Sequence, residues 1–308
     1  MDKAILLRVH RWTTLVFALP LLVVIVTGLI LAVKPAVTQA AIAPGSVTAG
    51  RLEQILAQHD PQRAARGLFF SPLDHTVTLI PGTPGIGSAA IHLNTGAAAE
   101  PSVWPEVFRT ARRVHERFVF NAHWLVLAST VAMLVLICLG MLMGLPRLRN
   151  TVSGWHKGVG WFLLPLLIAS PLTGLLMALG VTFAPAPVRE RGPQPDLVEA
   201  IRLTAASHDL SAVSWIRPRA GQMLVRIAEG GTPTVYAVKH GGLEPLPSNW
   251  PRLLHEGTYG SALGSVVTLL TALAAGGLLI SGLIVWARRR FRKPTRVRGA
   301  AGTLRPGV

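Results

Sequence analysis

Two segments of this chain repeat a histidine at a fixed distance from a Thr-Gly-Leu triplet. His10 lies 17 residues before Thr27, His156 lies 17 residues before Thr173, and the stretches between them are apolar. Ionisable side chains within membrane helices are rare and usually functional. Histidines at one depth on two helices can supply both axial ligands of a buried metal. The repeat therefore predicts a metal site at His10 and His156, and the alternative interpretation is a pair of hydrated interfacial histidines.

A second repeated pair of histidines precedes two other apolar segments. His115 and His255 occupy matching positions, and each is followed by a glutamate. They predict a second two-histidine site at the opposite membrane face. His123 is also a candidate, because on a helix continuous with His115 it would lie about 12 Å deeper and roughly 80° around the axis. Either His115 or His123 is therefore expected to face His255.

The elements that must position these histidines are membrane helices. The chain is 50% hydrophobic and 14% charged, with a mean hydropathy of +0.46. A bilayer core takes about 20 apolar residues to cross. Four stretches without Asp, Glu, Lys or Arg reach that length, and they are Trp12–Val33, Trp124–Leu145, Val159–Phe183 and Ser261–Ala287. We expect four transmembrane helices, the first of them retained rather than cleaved as a signal peptide.

The net charge of +16 is distributed unevenly along the chain. Segments 1–11, 146–157 and 288–308 are rich in lysine and arginine and contain one acidic residue, Asp2. The positive-inside rule places these segments, and hence both termini, in the cytoplasm. We assign the basic tail to contact with an anionic lipid surface and expect no nucleic-acid partner. The lone cysteine, Cys138, argues against a disulfide or a cysteine metal site.

The two outer segments also repeat one order of elements. Residues 47–97 predict a helix (Val47–Gln58) and three strands, and residues 195–247 predict a helix (Pro195–His208) and three strands. The predicted fold is a membrane all-α four-helix bundle with two small periplasmic α+β modules, formed by internal duplication. The predicted boundaries are 1–35, 111–148, 149–184 and 251–290 for the transmembrane helices, 36–110 and 185–250 for the modules, and 291–308 for the basic tail.

The order of motifs resembles the PepSY-associated transmembrane family. The resemblance rests on the opening His10-Arg11-Trp12, on the histidines that enter the second and fourth spans, and on Ser281-Gly282-Leu283 near the end of the fourth span. Within that family the chain is most similar to inner-membrane ferrisiderophore reductases of the ferrioxamine type. The resemblance implies two b haems, a ferric siderophore in the periplasm as substrate, and electrons from a cytoplasmic or quinol donor. It also implies a bacterial inner-membrane location and PepSY-like outer modules.

The resemblance assigns roles to the histidines. His10 and His156 are expected to hold the inner haem, and His115 or His123, together with His255, the outer one. Basic residues near the pairs are candidate partners of haem propionates, or of an anionic substrate on the outer side, and ordinary solvation is the alternative; they are Arg8, Arg11, Lys157, Arg112, Arg113, Arg117 and Arg252. Two other functions remain open: a PepSY-type binding or regulatory protein without redox activity, and a histidine-lined metal transporter.

Overall fold

A computed structural model describes most of the chain. The described residues are 2–82, 90–100, 102–147, 149–185, 193–260 and 262–291. The basic tail predicted at 291–308 lies outside this part of the chain except for Phe291, and so does Ser261, where the fourth span was predicted to begin.

Helices and strands follow the same order in the two halves of the chain. The helices are α1 (Lys3–Ala40), α2 (Ala49–His59), α3 (Val103–Arg117), α4 (His123–Leu142), α5 (Val152–Phe162), α6 (Leu164–Ala178), α7 (Leu197–Ala205), α8 (Trp250–Glu256) and α9 (Ala262–Arg290). The strands are β1 (Ala65–Ser71), β2 (Thr76–Pro81), β3 (Ala90–His92), β4 (Ala98–Ala99), β5 (Val213–Arg219), β6 (Gln222–Ile227), β7 (Thr234–Lys239) and β8 (Gly242–Pro245).

Three helices, α1, α4 and α9, are long and apolar enough to cross a membrane. Helices α5 and α6 satisfy the same test as a pair bent by 67°, which makes four spans if the pair counts as one. The third span was predicted as one helix, and the structure breaks it at Leu163. Pro165 lies in the first turn of α6, and a proline there lacks an N–H and clashes with the preceding turn. Proline thus explains the bend.

The predicted second transmembrane segment, 111–148, contains two helices rather than one. Helix α3 ends at Arg117, and α4 begins at His123. Between them the backbone of Phe118, Phe120 and Asn121 has φ values of 57°, 57° and 61°. Such left-handed conformations cannot continue a right-handed helix. The expectation that His115 and His123 lie on one continuous helix, with His123 about 12 Å deeper, is therefore wrong.

The two outer modules share one sheet. In the described residues this sheet has eight strands in the order β4-β3-β2-β1-β5-β6-β7-β8, and every pair is antiparallel. The halves join where β1 pairs with β5, with Leu68 opposite Ile216 and Phe69 opposite Trp215. Strands β4 and β8 were not predicted, because they are short and lack the β-branched residues that mark strands.

One face of the sheet packs against α2 and α7. Leu68, Ile216 and Val225 point to this side and are essentially fully buried, together with apolar residues of both helices. Each helix starts at a capping side chain, because Thr48 accepts a hydrogen bond from the Arg51 N–H and Asp196 accepts one from the Glu199 N–H. These contacts hold the sheet and its two covering helices as one unit.

The opposite face of the sheet carries aromatic and basic side chains. Phe69 pairs with Trp215, Trp215 pairs with Arg226, and Arg217 follows Trp215 by two residues. Residues paired across strands, or two apart on one strand, point to the same side of a sheet. We call this side, defined by Phe69, Trp215, Arg217 and Arg226, the arginine face. Arg226 contacts Glu256 of α8, so this face lies towards the membrane helices.

Candidate cofactor sites

The inner pair of histidines comes from α1 and α5. The ring centroids of His10 and His156 lie 6.4 Å apart, with the ring planes at 81°. The His156 Nδ1 is 2.9 Å from the Ser281 hydroxyl of α9. The ring also packs against the helix backbone, since a Cβ built at Gly282 would lie 3.4 Å from its Cε1 atom. Three helices therefore form this site.

The outer pair comes from the two short helices that precede α4 and α9. The ring centroids of His115 and His255 are 6.0 Å apart, with the planes at 46°. The His115 Nδ1 is 3.1 Å from the Val24 carbonyl oxygen and 3.0 Å from the Thr27 hydroxyl. The two short helices thus place one histidine each at the same point beside the bundle.

The His255 ring is held by the third span in the same way as His115 is held by the first. Its Nδ1 is 2.9 Å from the Ser170 carbonyl oxygen and 3.3 Å from the Thr173 hydroxyl. The carbonyl and the hydroxyl come from α6, whereas those of His115 come from α1. Each outer ring is therefore fixed through Nδ1 by a carbonyl and a hydroxyl of one span.

The repeated Thr-Gly dipeptides are the places where the outer histidines pack. A Cβ at Gly28 would lie 3.3 Å from His115 Cε1, and a Cβ at Gly174 would lie 2.9 Å from His255 Cε1. Glycine leaves room for the ring, and the preceding threonine provides the hydroxyl. A hydroxyl residue followed by glycine recurs near the ends of three spans, and Ser281-Gly282 is the third case. This recurrence is the sequence signal of their common role.

The second span lacks the hydroxyl residue that precedes the glycine in the other three spans. The second span reads Cys138-Leu139-Gly140, so it offers no hydroxyl before the glycine. A Cβ at Gly140 would meet no atom within 4 Å. Among the described residues no hydrogen bond reaches a ring nitrogen of His10. The inner pair is therefore held through one histidine, whereas the outer pair is held through both.

Burial favours the neutral form of both outer histidines. Burial, and next the charge of His255, lower the pKa of His115 to about 4. Burial likewise lowers the pKa of His255. A neutral ring whose Nδ1–H donates to a backbone carbonyl keeps a lone pair on Nε2. This is the usual arrangement of a metal-binding histidine.

Four other predicted site residues, His123, Arg8, Arg11 and Arg113, are exposed on the surface of the described chain. His123 is exposed at the first residue of α4, and its Nδ1 is 3.3 Å from the Asn121 carbonyl oxygen. The structure thus places His115 rather than His123 opposite His255. Arg8 and Arg113 are exposed, and the guanidinium of exposed Arg11 lies 5.8 Å from the centroid of the Trp12 ring.

The separation of the two rings in each pair fits two imidazoles that would share one iron atom. Two metal–nitrogen bonds of about 2 Å, with half an imidazole ring at each end, separate the ring centroids by about 6 Å. The observed separations are 6.4 and 6.0 Å. In the described residues no group of three or more His, Cys, Asp or Glu side chains is placed to hold a metal. Two histidines leave a bare ion under-coordinated, but they complete the coordination of a macrocycle-bound iron.

A charged cluster lies beside the outer pair, and the sequence predicted only Arg112 and Arg252 of it as candidate anion-binding residues. Glu256 directly follows His255, and its side chain is only 13% exposed. Arg112 lies 3.1 Å from its carboxylate, and Arg252 and Arg226 lie 3.8 and 3.9 Å away. Burial raises the pKa of Glu256, but the three arginines lower it overall. Arg226 could not be connected to this site from sequence, because it belongs to the sheet.

Replacing Gly174 with alanine is expected to displace the His255 ring. The new Cβ would lie 2.9 Å from Cε1, so the ring has to move away and its link to Thr173 lengthens. Loss of such a supporting contact typically weakens metal binding about 10- to 100-fold. Haem titration of the apoprotein measures this. Gly140→Ala is the matched control, because it adds a Cβ where no atom is within 4 Å. Equal effects of the two variants would contradict the packing role.

Comparison with known families agrees with this architecture. The pattern of the PepSY-associated TM region matches residues 7–300. A comparison with curated proteins gave no match. The family match covers the sheet, the four paired histidines and all of the membrane helices except the first residues of α1. The chain is therefore a membrane protein that belongs to the PepSY-associated transmembrane family.

Proposed function

We propose that this protein is a two-haem electron-transfer protein that reduces a ferric siderophore. The observation that carries the proposal is the pair of two-histidine sites with ring centroids 6.4 and 6.0 Å apart. His10 and the Thr27 that contacts His115 are 17 residues apart on α1. This corresponds to about 26 Å along a helix, so the two sites lie near opposite faces of a bilayer core of similar thickness.

The residues of this chain would bind and orient two b haems. Haem b held at each pair, by His10 and His156 and by His115 and His255, would supply one-electron chemistry there. Val24, Ser170 and the hydroxyls of Thr27 and Thr173 fix the outer rings, and Ser281 fixes His156. The apolar spans keep water away from both sites.

The orientation of the protein follows from charge. His10 lies near the amino-terminal end of α1, and α9 ends in Arg288, Arg289 and Arg290. The positive-inside rule supports a cytoplasmic inner pair, and in a bacterial inner membrane the sheet and the outer pair would then face the periplasm. Reduction of one Fe(III) to Fe(II) consumes one electron. A donor on the cytoplasmic side, a quinol or a soluble reductase, has to supply it.

The matched order of elements supports an origin by internal duplication. Each half has a span, a helix, four strands, a short histidine-bearing helix and a second span. In such a duplication each half gives one histidine to each site. The halves join through β1 and β5, so the two PepSY-like modules form one periplasmic layer.

The purified protein is expected to be red and to contain two b haems per chain. An oxidised spectrum of low-spin haem should sharpen into distinct α and β bands after dithionite, because both axial positions are filled. Visible spectroscopy with a pyridine haemochrome assay measures this. The variant with both His156→Ala and His255→Ala serves as the control and should lose the spectrum.

Colourless protein from haem-replete cells would contradict the proposal. It would favour one of the other two functions, a binding or regulatory membrane protein or a metal transporter. Transport assays with divalent metals in proteoliposomes would then separate those two functions.

A further inference from the structure

The arginine face and the helices beside it carry positive charge that the ion pairs do not neutralise. Six cations interact electrostatically in this region, and two carboxylates, Glu256 and Glu116, contact them among the described residues. Six cations against two carboxylates leave a net charge of +4. We call the six the basic cluster: Lys34, Arg112, Arg217, Arg219, Arg226 and Arg252.

The outer part of the basic cluster is accessible and held in place. The Arg217 guanidinium lies 4.6 Å from the centroid of the Trp215 ring and 5.6 Å from that of Phe69. Phe69 is 42% exposed, and the Arg252 side chain is 48% exposed. Two aromatic rings thus fix a guanidinium at the surface, an arrangement that reduces the entropy lost when it binds a ligand.

Arg217 also has an unused hydrogen-bond donor. Its Nε atom is buried and has no hydrogen-bond partner in the described part of the chain. Buried donors are nearly always paired in native proteins, so an unpaired one calls for a partner. Because solvent does not reach this atom, an anionic oxygen would satisfy it after a shift of the Arg217 side chain.

The cluster lies next to the outer histidine pair. Arg112 precedes His115 by three residues on α3, and Glu256, which contacts Arg112, follows His255 directly. Arg226 connects the carboxylate of Glu256 to the sheet. A ligand bound to the outer part of the cluster would therefore lie beside the site from which electrons leave in the proposed function.

We propose that the basic cluster selects an anionic ferric chelate, one that binds iron through carboxylate or catecholate oxygens, over a cationic ferric hydroxamate. A guanidinium offers forked N–H donors that match anionic oxygens. A chelate with net positive charge would instead face a surface of like charge, which disfavours binding. That the bound metal is iron rests on the proposed function. The preference for an anionic chelate over a cationic one rests on the charge of the basic cluster alone.

Gallium(III) chelates test this selection, because Ga(III) resembles Fe(III) in charge and size but is not reduced. The full-length protein is placed in nanodiscs of zwitterionic lipid, so that no anionic headgroup competes. Calorimetry then compares Ga(III) citrate, which is anionic, with the cationic Ga(III) complex of desferrioxamine B. We expect the anionic chelate to bind at least about tenfold more tightly, with an affinity that falls as salt is added. Equal or reversed affinities would overturn the proposal.

Variants locate the binding surface. Arg217→Gln is expected to weaken Ga(III) citrate binding about tenfold, and Arg217→Lys should recover part of the loss. Arg202→Gln is the matched control, because Arg202 pairs with Glu53 on the helices that cover the opposite face of the sheet. If Arg217→Gln unfolds, Arg252→Gln carries the same test. Unchanged binding in a folded variant of either arginine would overturn the proposal.

The basic cluster could instead bind the propionates of a haem, which also carry anionic oxygens. The haem content of the variants distinguishes this ligand from the chelate. If the cluster served only the haem, Arg217→Gln would lower haem content and leave chelate binding unchanged, which overturns the proposal. Gallium binding needs no electron transfer. A protein that binds the anionic chelate but contains no haem would contradict the proposed function and leave the charge selection intact.

Discussion

Replacing His255 with alanine is expected to remove the outer haem and leave the inner one. The His255 ring is one of two that can ligate there, and its centroid is 6.0 Å from that of His115. Loss of the ligand itself should weaken binding by more than about 100-fold, because loss of a mere supporting contact already costs 10- to 100-fold. The low-spin absorbance should fall to about half. Reoxidation of the dithionite-reduced protein by a ferric chelate should become far slower, as reported by an Fe(II)-specific dye.

His123→Ala is the matched control for this variant. His123 is exposed and contacts the carbonyl of its own neighbour, Asn121, so both haems should remain. Loss of the outer haem from His123→Ala, with retention in His115→Ala, would instead make His123 the ligand. Loss of both haems from folded His255→Ala would indicate one shared site.

Replacing His156 with alanine should have the complementary effect on the inner site. His156 is the ring of that pair that is held by a hydroxyl, at 2.9 Å from Ser281 Oγ, and His10 has no such partner in the described residues. We therefore expect the inner haem to be lost and the outer haem to remain, again with about half the low-spin absorbance. Dithionite should still reduce the outer haem, whereas electrons supplied from the cytoplasmic side should no longer reach the chelate.

Inside-out membrane vesicles allow this comparison, because they expose the cytoplasmic face to added donors. Ser281→Ala is the graded control, since it removes only the hydroxyl that supports His156 and should weaken the inner site less than His156→Ala does. If His156→Ala left donor-driven reduction of the chelate unchanged, the inner pair would not lie on the electron path. If it removed the outer haem as well, the two sites would not be independent.

The amino-acid sequence by itself determined which parts of the chain can cross a membrane. Their apolar length and missing charges predict spans without reference to any neighbour, because each helix satisfies its own backbone hydrogen bonds in lipid. The helix at Ala49–His59, the helix at Leu197–Ala205 and six of the eight strands were also predictable, because their apolar spacing and turn residues are local. The two shorter strands carry no such local pattern.

The breaks in the spans were only partly readable from sequence. Pro165 is a visible break signal, yet Pro20 lies within α1 without interrupting it. The turn after Arg117 contains no proline or glycine, but its residues adopt positive φ values. The turn occurs where α3 packs against the first span and His115 contacts Val24 and Thr27. These contacts join residues far apart in the chain, so no local pattern predicts the turn.

The candidate sites show the same division between local and distant information. The residue repeats predicted two groups of histidines, because a duplicated pattern places equivalent side chains at equivalent depths. Tertiary structure decided that His115 rather than His123 faces His255. It also decided that Gly28 and Gly174 receive the histidine rings and that Arg226 of the sheet joins Glu256. These contacts link residues far apart in the chain, and their geometry depends on how helices and strands pack, which no local sequence pattern encodes.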